Sequence, residues 1–212
     1  MTAPVVFVVD DDASVRKSLT RVMTSAGYAV ETFASARDFM ARAPAAGPCC
    51  VVLDVRMPGL TGLDLQKALV GAGRPIPIVF ITGHGDISMS VRAMKAGAVD
   101  FLTKPFDVAS LLAAIRRAVA KDAKDRGEEG RTAEVLARVG RLTPRETEVF
   151  ALVVTGLLNK QIAGRLGIGE KTVKVHRARV MEKMQAGSVA ELVRLADRAG
   201  VVVPSSLVPS AR

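Results

Sequence analysis

The chain has 212 residues, 49% hydrophobic and 24% charged, with a net charge of +9, which leaves room for one large domain or two modest ones around a real core. Its apolar runs are strand-length, far below the roughly 20 residues of a membrane span, and the N-terminal "MTAPVVFVVDDD" has neither the basic region nor the cleavage site of a secretion signal. Residues 1–120 hold 13 Lys+Arg against 10 Asp+Glu and residues 121–212 hold 17 against 11, so a polyanion partner is expected at the smaller half.

In chain order, strand-like runs fall at 4–9, 29–33, 49–54, 76–81 and 99–102. Helical patterns lie between them. Val15, Leu19, Val22 and Met23 share one helix face, as do Val108, Leu111, Leu112, Ile115 and Val119. Strands almost continuous in Val, Ile and Leu are typical of a parallel sheet covered on both faces, so residues 1–120 are predicted to form a doubly wound five-stranded α/β domain. The adjacent Cys49 and Cys50 exclude a disulfide framework and fit buried thiols in a reducing cytoplasm.

The charged run "KDAKDRGEEGR" (121–131) then reads as a solvent-exposed joint inside a partly helical linker at 121–140, with Gly127 or Gly130 expected to interrupt the helix. Residues 141–203 read as a small all-α domain, and 204–212 as a loosely ordered tail. Thr143, Pro144 and Glu146 form a capping-box helix start. That helix should bury Val149, Leu152 and Val153. The short helix "NKQIAGRL", the turn "GIG" and a longer helix over 170–184 follow, which is the helix-turn-helix order. On the long helix Val173, Val180 and Met184 form the inner face. Lys171, Lys174, Val175, Ala178, Arg179 and Glu182 form the outer one, with His176 and Arg177 on the flanks. Small and basic side chains together let a helix approach DNA closely, with Lys reaching phosphates or guanine edges and Val a thymine methyl. A merely solvated face accounts for the charges but not for Val175 and Ala178 between them.

Polar residues collect at the predicted strand ends: Asp10, Asp11 and Asp12 after the first, Asp54 at the third, Thr82 at the fourth, and Lys104 with Pro105 after the fifth. Any one of them is an ordinary polar strand end. As a set they form a carboxylate cluster at one sheet edge, which needs a cation, and hard oxygen donors suit Mg²⁺ with several waters. Asp12 fits the start of the next helix, where negative charge is stabilising, and His84, between two glycines, is read as a surface residue without a role. "MPG" (57–59) is read as a turn that shapes the loop.

"VVDDD", "LDVRMPGLTG", "ITGHGD" and "DFLTKPF" together resemble the receiver domain of two-component response regulators, over residues 4–118. The resemblance implies phosphorylation of Asp54. It implies Mg²⁺ held by Asp11, Asp54 and the backbone carbonyl of Arg56, with Asp10 acting through water. Lys104 and Thr82 would stabilise the phosphoryl group, and Phe101 would follow Thr82 in the switch. "LTPRE", "NKQIA", "LGI" and "KTVKVHRARVMEKM" resemble the LuxR-type helix-turn-helix domain, and the pairing resembles the FixJ/NarL group, FixJ-like members above all. Gly169 stands where that family usually has a capping serine, a difference of only a few tenths of a kcal/mol. The DNA contacts implied are Lys160, Lys171, Thr172, Lys174, Val175, His176, Arg177, Ala178 and Arg179.

The implied function is a cytoplasmic, phosphorylation-activated transcriptional regulator rather than an enzyme, beyond slow self-dephosphorylation. Its implied partners are a sensor histidine kinase, double-stranded promoter DNA, RNA polymerase and, once phosphorylated, a second copy of itself through the fourth-helix/fifth-strand face. Two alternatives remain at this point: a Mg²⁺-dependent phosphatase or phosphotransferase using Asp54, and a DNA-binding protein whose receiver is only structural.

Overall fold

A computed structural model describes residues 3–83 and 87–201; His84 and the tail at 204–212 lie outside them. The chain forms two compact units, divided between Gly127 and Glu128.

The N-terminal unit is a five-stranded parallel sheet: β1 (Val5–Val9), β2 (Ala29–Phe33), β3 (Cys49–Asp54), β4 (Ile78–Thr82) and β5 (Asp100–Thr103), in the order β2-β1-β3-β4-β5. The helices are α1 (Ala13–Ser25), α2 (Ala36–Ala41), α3 (Gly62–Gly71), α4 (Ile87–Lys95) and α5 (Val108–Val139). Because side chains alternate along a strand, each central strand feeds two cores. Phe7, Val9, Val51, Leu53, Ile78 and Phe80 pack with Phe39 of α2, Leu65 and Leu69 of α3 and Ala93 of α4. Val6, Val8, Cys50, Val52, Val79 and Ile81 pack with Leu19 and Met23 of α1 and with Leu111, Ala114, Ile115 and Ala118 of α5. The two cysteines therefore enter opposite cores, and both are free and buried.

Helix α5 differs from the expected joint. It runs unbroken through Gly127 and Gly130. A glycine costs a helix only about 1 kcal/mol relative to alanine, and tertiary contacts hold this segment. Asp122 is buried and accepts hydrogen bonds from the Cys49 backbone N at 2.8 Å and from Arg126 Nε at 2.6 Å. Arg126 Nη1 also donates to the Ala45 carbonyl at 3.2 Å. The start of the charged run thus belongs to the N-terminal unit and ties the first residue of β3.

The C-terminal unit packs α6 (Pro144–Val154), α7 (Asn159–Leu166), α8 (Glu170–Met184) and α9 (Val189–Arg198) around Val149, Phe150, Leu152, Ile162, Val173, Val180, Met184 and Leu192, with Val135 from the end of α5. The capping box of α6 is present: Glu146 N donates to Thr143 Oγ1 and Thr143 N to Glu146 Oε2. Glu146 is buried and also accepts from Lys183 Nζ of α8 at 2.6 Å. The Lys183 ammonium and the capping bonds hold its carboxyl down to about 2. α7 closes at Gly167 in the left-handed region, φ 63°, as the tight turn to α8 requires.

Candidate functional site

In a doubly wound sheet ligands gather at the carboxyl ends of the strands, where the strand order reverses. Here the reversal lies between β1 and β3. Asp10 follows β1 and Asp54 ends β3, and both are buried, 1% and 6% exposed. Lys104 joins them: its Nζ lies 2.9 Å from Asp10 Oδ2 and 3.2 Å from Asp54 Oδ1. The other oxygens are placed by backbone. Asp12 N donates to Asp10 Oδ1 at 2.9 Å, and Arg56 N donates to Asp54 Oδ2 at 3.0 Å.

Burial pushes the Asp54 carboxyl above the usual carboxylate range; Lys104 offsets this in part, and the Asp10 charge adds to it. Burial likewise works against the charge on Lys104, but its bonds to Asp10 and Asp54 outweigh it and raise the ammonium pKa. One lysine thus faces two buried carboxylates, with the exposed Asp11 next in the chain.

Among the described residues no three Asp, Glu, His or Cys side chains gather into a metal-binding cluster. Asp10 and Asp54 are already bridged by Lys104. The hard carboxylate oxygens at this edge fit Mg²⁺, which takes one or two carboxylates and keeps several waters.

The remaining residues expected at this edge lie nearby in the fold. Thr82, at the end of β4, is fully buried, and its carbonyl accepts Lys104 N at 2.7 Å. Phe101 of β5 pairs with Phe80 across the ladder, with ring centroids 6.2 Å apart. The Asp12 carboxylate serves α1 instead: exposed, it caps the helix, accepting Ser14 N at 2.7 Å and Val15 N at 3.4 Å. The bond to Ser14 N holds its carboxyl below the usual range.

Sequence reasoning missed two contributors. Gly62 opens α3 against the strand end, where a Cβ would collide with the Asp54 carbonyl oxygen and crowd Leu53 and Val55; the signal was the Thr-Gly pair at a helix start. Arg16 reaches the carbonyls of Asp10 and Asp11 from within α1.

In the C-terminal unit α8 turns Val173, Val180 and Met184 into the core. Lys171, Thr172, Lys174, Ala178 and Arg179 are exposed, as is Lys160 of α7, and Val175 is 46% exposed among these cations. Such a surface can meet both phosphates and base edges. His176 and Arg177 are half-buried. Arg177 Nη1 is held by Asn159 Oδ1 at 3.1 Å, which links α8 to α7. Gly169 caps α8 through its backbone alone.

Comparison with known proteins bears on both units. Residues 6–116 match the response regulator receiver domain, and residues 140–196 match the bacterial regulatory proteins of the luxR family. Nodulation protein W of Bradyrhizobium diazoefficiens is 49% identical over 94% of this chain and 88% of that protein. The transcriptional regulatory protein FixJ of the same organism is 46% identical over 93% and 96%. The solved structure of the response regulator StyR is 48% identical and covers 93% of this chain and all of its own, with a TM-score of 0.83.

Proposed function

Because this chain belongs to the response regulators that join a receiver domain to a LuxR-type helix-turn-helix domain, as FixJ does, we propose that phosphorylation of Asp54 by a sensor histidine kinase switches its binding to promoter DNA. It is a FixJ-like transcriptional regulator of a two-component system, a family of regulators and not of enzymes, and the family implies kinase and DNA partners. Receiver domains generally use Mg²⁺ for phosphorylation. No helix among the described residues is long and apolar enough to cross a membrane.

The observation that carries the reading is the bridge from Lys104 to both Asp10 and Asp54 at the strand edge. Asp54 is the nucleophile: a carboxylate oxygen bonds to phosphorus as the bond to the kinase's phosphorylated histidine breaks, leaving that imidazole free and an aspartyl phosphate here. Asp11, Asp54 and the Arg56 carbonyl would hold Mg²⁺, with Asp10 acting through water. When bound, the ion neutralises charge that develops on the phosphoryl oxygens. Lys104 then exchanges a carboxylate for the phosphoryl group, and Thr82 donates its hydroxyl to it. Phe101, one strand away, follows Thr82.

The output is dimerisation through α4 and β5, followed by DNA binding. Ile87, Val91 and Met94 of α4 are exposed large apolar residues at i, i+4 and i+7, the stripe such an interface needs. The paired domains would read two half-sites, with α8 in the major groove and RNA polymerase recruited at the promoter. The test is mass spectrometry of the full chain after treatment with Mg²⁺ and a small-molecule phosphodonor. One phosphoryl group at Asp54, absent in Asp54→Asn, is expected. Continuous turnover of phosphate esters would instead favour an enzyme, and unchanged DNA affinity after labelling a receiver with only a structural role.

A further inference from the structure

Arg16 occupies an unfavourable place for a cation. It lies in the fourth position of α1, beside the positive end of the helix dipole. Yet it is half-buried, and Nη1 reaches back to the carbonyl oxygens of Asp10, at 2.7 Å, and Asp11, at 2.9 Å. Successive carbonyls of an extended chain point to opposite sides, so one nitrogen meets both only where the backbone turns. The same turn is fixed from the other side by Asp12, whose N donates to Asp10 Oδ1 while its carboxylate caps α1. The strand end, the turn and the helix start are thereby locked around the two residues that open the acidic edge.

We propose that Arg16 is a positioning residue for divalent-cation binding, holding the Asp10–Asp11 backbone so that Asp11 can act with Asp54, and Asp10 through water. The inference rests on the reading of this edge as a Mg²⁺ site. Its sign separates it from a through-space effect: removing a nearby positive charge should by Coulomb attraction tighten Mg²⁺ binding, whereas releasing the turn should weaken it.

The experiment titrates Mg²⁺ calorimetrically into full-length wild type, Arg16→Met and Arg16→Lys, with thermal melts as a folding control. Asp54 labelling by a small-molecule phosphodonor is followed over a Mg²⁺ series. Arg16→Met is expected to weaken Mg²⁺ on the order of tenfold, as loss of an outer-shell partner does, and to regain near wild-type labelling at saturating Mg²⁺. Arg16→Lys keeps the charge on a shorter side chain with different donor geometry and is expected to fall between. Unchanged or tighter Mg²⁺ binding by folded Arg16→Met overturns the proposal; if that variant does not fold, unchanged affinity in Arg16→Lys does so. Should wild type bind Mg²⁺ without labelling at Asp54, the phospho-acceptor reading fails while the order of affinities still decides the role of Arg16. No Mg²⁺ binding by wild type ends both.

Discussion

The acidic strand edge and the basic face of α8 are built in opposite ways. At the edge, Asp10, Asp54 and Thr82 are buried, and the carboxylates are fixed by a lysine and by backbone N–H groups. On α8 the proposed DNA contacts stand mostly in solvent, with Arg177 bonded to the neighbouring helix. A site that does chemistry on a small group must hold its geometry before the group arrives. A site that meets a long polyanion needs reach and charge, and the partner supplies the order. One surface is preorganised and the other is left open.

The sharpest way to break this contrast is Asp54→Asn. Phosphoryl labelling should fall to background, while the chain stays folded. Burial raises the Asp54 pKa, so its favourable contribution is complete below the unfolded value and is lost as pH rises through the folded one. At neutral pH the ionised group therefore costs stability. Calorimetry should show Asp54→Asn melting above wild type, and a lower melting temperature would contradict the electrostatic reading.

Two structural clamps come next. Glu146→Ala removes the capping box and the Lys183 partner together, and should destabilise the C-terminal unit by about 2 kcal/mol in urea unfolding. The Glu146 carboxyl sits at about 2, so its stabilisation is present above its ordinary value of 4.5 and fades as pH falls toward 2. In Glu146→Ala that acid limb should flatten. Asp122→Ala leaves the Cys49 N–H and the Arg126 guanidinium without their carboxylate, and should destabilise the N-terminal unit by about 1–3 kcal/mol. A receiver fragment ending at residue 120 should be weakened similarly when compared with one ending at 127.

The smallest effects belong to the open surface. Lys171→Ala should lower the slope of log affinity against log salt by about 1 and weaken all DNA sequences alike, because a phosphate contact carries no sequence information. Val175→Ala should leave the salt slope unchanged and relax preference at one base position. Binding isotherms at several salt concentrations separate the two.

Much of this was legible in the sequence because the signals are local and periodic. Continuous Val and Ile runs marked β1, β3 and β4, and spacing marked the inner face of α8. Strand ends brought Asp10, Asp54, Thr82 and Lys104 to one edge. What escaped depends on contacts distant in sequence or on space. The bond from Cys49 to Asp122 spans 73 residues, so a charged run looked like a joint where a buried carboxylate anchors a helix. Gly62 is needed because a strand end passes against it, a close approach that the Thr-Gly pair at the helix start marks without giving its cause. Arg16 matches none of the motifs; only the turn itself gives it two carbonyls to hold.

The most direct measurement is the affinity of the full chain for a bound promoter fragment, at one fixed salt concentration, with and without Mg²⁺ and a phosphodonor, and with its size in solution followed in parallel. Wild type should tighten its binding and double in mass on labelling, and Asp54→Asn should do neither. Equal affinity and equal mass in a wild-type chain shown to be labelled at Asp54 would contradict the claim that charge at the strand edge controls the basic helix.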